Sequence, residues 1–198
     1  MVAVHLNKGE DDFLSGYSKL ETPDEKIEHK VEGSLLFEGH EELVKKYGEI
    51  LAIGDWYTLT TQKILAGVRS SLTPDQINSF LQTTTPYDNH KNYCDRTGRF
   101  ITRLIQNSHD TGNNLFKLET RTLSKGIYFL GYNLQGKGNN LLEIIVDGNA
   151  KYWCGVQAKN CTFKTPNKET LRQLKENVPK DKGNKIYFIK GNKEERIL

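Results

Sequence analysis

Glu143 and Asp147 stand four residues apart in a run of aliphatic and acidic residues that reads as a strand, so both carboxylates project from one face. Gln157-Ala158-Lys159 follows in the next strand-like stretch, and its two polar ends share a face in the same way. Tyr152-Trp153 beside Lys151 has the rings and the cation to stack a base or a sugar, although paired aromatics at a strand end also serve as core and rim. His90-x-x-x-Cys94 would put two metal ligands on one helix face, but no second pair stands at zinc spacing. The five histidines (5, 29, 40, 90 and 109) are scattered, with no Ser or Cys partner visible in sequence. Cys154 and Cys161 suit small inward positions better than a metal or a disulfide.

The charge that surrounds these residues is uneven. The 198-residue chain has a formal net charge of +3. Residues 1–50 hold 12 acids and 6 bases, residues 51–150 hold 8 and 10, and residues 151–198 hold 5 and 12. A basic C-terminal segment can release counterions from phosphates, which makes nucleic acid a conceivable partner; a Lys-rich run is also what a solvated face looks like. No stretch approaches the roughly 18 consecutive apolar residues of a membrane span. Met1 to Lys8 has no basic region leading into an apolar one, so it does not read as a secretory signal. Three cysteines, Cys94, Cys154 and Cys161, are an odd and sparse set for a secreted scaffold. The expectation is a soluble, cytoplasmic protein with no membrane partner.

The elements that must position these groups change character near Gly112. Residues 1–112 read as a mainly helical domain and 113–198 as a β-rich one, an α+β chain. Val2, Val4 and Leu6 alternate like a strand, and Lys19 to Gly33 is polar enough for a loop or a solvated helix. Leu43, Val44, Tyr47, Ile50 and Leu51 recur at helical steps, and Thr60 to Val68 offers Ile64, Leu65 and Val68 to a core. Thr73-Pro74-Asp75-Gln76 is a capping box with Pro at the first helical position, and Ile77, Phe80 and Leu81 supply that helix's buried face. Phe100, Ile101, Leu104 and Ile105 mark a helix that stops at Gly112. Beyond it, three runs open alike at Asn114, Asn140 and Asn160, 26 and 20 positions apart, as the coils of a solenoid would. Asn at each start could turn a corner in a left-handed conformation or bond its neighbours in the stack. Thr165-Pro166-Asn167 opens a helix with Leu171, Leu174 and Val178 on one face, and Lys185 to Ile189 is a strand; this pair is expected to cap the open end of the solenoid.

Residues 144–165 resemble one coil of the glycine-patterned right-handed β-helix in the C-terminal domain of the large glutamate synthase chain and in the C subunit of formylmethanofuran dehydrogenase. Gly148, Asn149, Ala150 and Gly155 fall in the family's register, with Val156-Gln157 where another Gly often stands. The resemblance covers about twenty residues and implies a short right-handed β-helix, a scaffold unit that carries no catalytic residue over. Glu143 and Asp147 followed by Gln157-x-Lys159 resemble instead the core of PD-(D/E)XK nucleases. That resemblance implies Mg²⁺ held by Asp147 and Gln157, with Lys159 orienting the nucleophile or neutralising the phosphate. The Pro that usually precedes the Asp is absent, and Gln is a weaker metal ligand than Glu. Residues 104–112 resemble the Asn-box of Bergerat-type ATPases at Asn107, but no Asp-x-Gly-x-Gly box follows and Arg103 stands where a Glu is common. The leading expectation is a non-enzymatic scaffold or interaction module that needs no cofactor and presents stacked strands to a protein partner; the alternative is the Mg²⁺-dependent nuclease.

Overall fold

The computed structural model describes residues 40–53, 59–137 and 141–198. The expected strand at Val2 to Leu6, the polar stretch Lys19 to Gly33 and Asn140 lie outside these. The described residues form five α-helices and one five-stranded sheet.

Helix α1 (Glu41–Ala52) buries Leu43, Tyr47, Ile50 and Leu51, the face expected from their spacing. Helix α2 (Leu59–Gly67) leads to α3 (Pro74–Thr83), where both halves of the capping box form: Thr73 Oγ1 accepts from Gln76 N–H at 3.2 Å, and Gln76 Oε1 accepts from Thr73 N–H at 2.9 Å. Pro86 falls in a single 3₁₀ turn, Thr85–Tyr87. The 18-residue α4 (Tyr93–Asp110) ends two residues before Gly112, whose φ of +111° closes it. Tyr47, Phe80 and Phe100 join α1, α3 and α4, with ring centroids 5.2–5.5 Å apart.

Strands β1 (Leu115–Thr120), β2 (Leu142–Gly148), β3 (Cys161–Thr165) and β4 (Lys185–Lys190) lie side by side in chain order, all parallel, and β5 (Lys193–Arg196) pairs antiparallel with β4. Side chains alternate across the sheet. Phe116, Leu118, Ile144, Val146, Phe163 and Ile186 point into the core, while Lys117, Ile145, Lys164 and Tyr187 form a row on the outer face. One buried cluster runs from Leu43 through Phe163 to Ile186, so the core is continuous across Gly112.

The register differs from the one the asparagines suggest. Leu115 faces Glu143 and Leu142 faces Cys161, offsets of 28 and 19, so Asn114 is aligned with Leu142 rather than with an asparagine. Only Asn160 of the described pair takes the left-handed corner, at φ +52°. The terminal elements also differ from expectation. Helix α5 (Lys168–Asn177), N-capped by Asn167, lies within the connection from β3 to β4, and the sheet continues past it to β5.

Candidate functional site

The connections between strands are where the chain is unusual. Residues 127–136 (Ile-Tyr-Phe-Leu-Gly-Tyr-Asn-Leu-Gln-Gly) and 151–160 (Lys-Tyr-Trp-Cys-Gly-Val-Gln-Ala-Lys-Asn) run side by side, 24 positions apart, and share a left-handed backbone at three matched positions. Phe129, Gly131 and Asn133 have φ of +57°, +78° and +58°, and Trp153, Gly155 and Gln157 have +64°, +72° and +61°. A left-handed residue at every second position costs a non-glycine side chain on the order of 1 kcal/mol, and the neighbouring row supplies the compensation. Phe129 N–H bonds Tyr152 O at 2.9 Å, Gly155 N–H bonds Leu130 O, Asn133 N–H bonds Val156 O, and Lys159 N–H bonds Leu134 O. Leu130, Leu134, Cys154 and Ala158 turn inward and are fully buried. A Cβ on Gly131 would come within 2.9 Å of the Phe163 ring and one on Gly155 within 2.5 Å of Val178, so both glycines let the core reach the backbone of the connections.

Helix α4 fixes the first of these rows along one stripe. Tyr128 N–H bonds the Cys94 carbonyl at 2.8 Å, and the Tyr128 carbonyl packs on Gly98 so closely that any Cβ there would collide with it. Thr102 Oγ1 accepts from Gly131 N–H at 2.8 Å, Gln106 bonds both backbone groups of Gln135, and His109 Nε2 accepts from Lys137 N–H at 3.3 Å. Helix α3 treats β1 likewise: Asn78 Oδ1 accepts from Glu119 N–H at 2.8 Å, and Gln82 Nε2 donates to Glu119 O at 2.7 Å. Two helices therefore stand where a preceding strand and connection would be.

The outward side chains of the two rows form a ladder of rings. Tyr128 meets Tyr152 edge-on at 5.1 Å, and Phe129 lies parallel to Trp153, 4° between planes and 6.0 Å between centroids. Arg99, ion-paired with Asp95 at 2.9 Å, lays its guanidinium 3.6 Å from the Phe129 centroid, and burial pulls its pKa down. Tyr152 and Trp153 are 56% and 53% exposed, the most exposed of the large apolar side chains among the described residues.

The sequence-derived catalytic set is dispersed. Asp147 lies near the end of β2 on the outer sheet face, 3.1 Å from Arg121, and Glu143 is 3.1 Å from Lys164. Gln157 and Lys159 precede β3, whose first residue faces Leu142; Asp147 is five residues further along, about 16 Å at strand rise. These side chains do not converge, and the placement of Asp147 and Gln157 does not fit a shared Mg²⁺. No group of three or more His, Cys, Asp or Glu among the described residues is arranged to hold a metal. Asn107 donates to Val68 O at 2.7 Å, pinning the loop before α3, and His90 precedes α4 rather than sharing a helix face with Cys94. Burial pushes the Cys154 thiol up to about 12 and that of Cys161 to about 11, as befits inward packing groups.

Sequence reasoning noticed Tyr152-Trp153 but missed its partners Tyr128 and Phe129. The signal was present as Tyr-aromatic-x-Gly-x-(Asn/Gln), repeated at 24 residues. No helix among the described residues is long and apolar enough to cross a membrane. Compared with protein-family models, with curated proteins and with solved structures, the chain matches none.

Proposed function

We propose that the protein is a non-enzymatic, cytoplasmic scaffold: an interaction module in which helices close a short right-handed β-helix that offers its flat outer sheet face to a protein partner. The handedness follows the general rule for parallel crossovers, and the glycine-patterned coils of glutamate synthase are the corresponding unit. One observation carries the reading. The strand ladder and the connection ladder are both hydrogen-bonded from row to row, while the carboxylates that could do chemistry are held in ion pairs across the sheet. The row Lys117, Ile145, Lys164 and Tyr187 gives that face a mixed apolar and charged character typical of non-obligate interfaces.

The test is incubation with plasmid and single-stranded nucleic acid in Mg²⁺ or Mn²⁺. The scaffold reading expects no turnover. Metal-dependent cleavage that disappears in Lys159→Ala would overturn it in favour of the nuclease.

A further inference from the structure

The opposite side of the stack carries a second surface, independent of the sheet face. Tyr128, Phe129, Tyr152 and Trp153 project from the connections, whose inward side packs on Phe163 of the sheet. Their planes are set by row-to-row backbone bonds and by Arg99, so little ordering remains for the rings to undergo when a ligand arrives.

The charge beside the rings is cationic. Lys151 adjoins Tyr152, and exposed Lys125 stands just before the first row. The Cys94 carbonyl holds the Tyr128 N–H, so Lys125 and Lys151 enter the two rows within three residues of the tyrosine pair. Asp95 is paired with Arg96 and Arg99, Asp88 accepts from the Ser124 N–H at 3.1 Å, and Glu169, paired with Arg172 at 2.6 Å, is the acid that also feels Lys151. A neutral glycan would use the ring faces but not the lysines. A polyanion with planar groups uses both, because every base has a π-face and every phosphate a charge.

We propose that this ring ladder is a stacking platform for single-stranded nucleic acid, with bases on Tyr152 and Trp153 and phosphates at Lys125 and Lys151. Its reach is short, one or two nucleotides per row of rings, and its selectivity is for unpaired over paired strands rather than for sequence.

The chain has two tryptophans, so a Trp56→Phe background leaves Trp153 as the reporter. The full-length protein is titrated in EDTA with an oligothymidylate of about twelve nucleotides, within the site sizes common for such platforms. The expected result is quenching of Trp153 emission with an affinity that weakens as salt rises. In the Trp56→Phe/Trp153→Ala protein, binding is read by anisotropy of a labelled oligonucleotide and is expected to fall about tenfold, the range of one lost base stack. Lys125→Ala and Lys151→Ala should each lower the magnitude of the logarithmic salt slope by roughly one. Trp153 is exposed, and an unchanged melting temperature shows that the variants are folded. Absence of binding at low salt overturns the proposal. So does equal affinity for a duplex of the same length, which would mean charge alone, or quenching by a neutral oligosaccharide but not by the oligonucleotide. Cleavage of the strand when metal is added would sink the scaffold reading and leave this one standing.

Discussion

The two ends of the strand stack are closed by opposite means. At β1 the edge is occupied: Asn78 and Gln82 bond the backbone of Glu119 as a neighbouring strand would, and the α4 stripe does the same for the first connection. At β5 no helix among the described residues covers the edge, and Lys193-Glu194-Glu195-Arg196 is exposed throughout. Charge replaces cover there, since a further strand would have to desolvate four ionised side chains. Glu194 reaches Lys164 at 2.9 Å, and Glu195 pairs with Lys190, which holds β5 against the sheet. An end made of fitted backbone contacts tolerates little change. An end made of surface charge tolerates much.

Mutations should separate the two ends in that order. Gly98→Val forces α4 off the Tyr128 carbonyl and should cost about 3 kcal/mol or more, read as the shift in urea midpoint; a loss near zero would mean α4 does not seat the first connection. Between the ends, the sealed thiols of Cys154 and Cys161 give a pH signature. Their folded pKa values, about 12 and about 11, lie above an unfolded value of roughly 8.5, so the unfolded chain loses its protons first. Their contribution is therefore complete below that value and declines by about 1.4 kcal/mol per pH unit per thiol as pH rises towards the folded values. Cys161→Ala should flatten that decline, and equal alkaline slopes in both proteins would refute the assignment. Asn78→Ala leaves the Glu119 N–H without its acceptor and should cost about 1–3 kcal/mol, whereas Asn78→Asp, which keeps an acceptor, should recover part of it. Glu194→Ala at the far end should cost under about 1 kcal/mol, and that remainder should vanish in high salt.

What the sequence disclosed follows from which interactions are local. The α3 start was legible because Thr73, Pro74 and Gln76 act within one turn, and the inward alternation of β2 because period-two burial is written in consecutive residues. The stacking register was not, because Asn114 and Asn160 look alike while alignment is decided by connection length, and the two connections differ by nine residues in offset. Strand β5 escaped notice because four charged residues carry no apolar pattern; its pairing comes from β4 and a tight turn at Gly191, φ +58°. The ring ladder was half seen. Trp153 stood out, but its match to Phe129 is one of shape and left-handed backbone rather than identity. The catalytic set looked compact in sequence because strand alternation was assumed to continue through Gln157-Ala158-Lys159; that stretch lies in the connection, with Gln157 at φ +61°.

The two connections repeat with a spacing that the strands do not share. Gly136 lies against Asn160, where an added Cβ would collide with the Asn160 carbonyl, but only Asn160 turns with a left-handed backbone. The matched left-handed positions keep one 24-residue spacing while the strands on either side are offset by 28 and 19, so what repeats in this molecule is the connection, and the strand register adjusts around it.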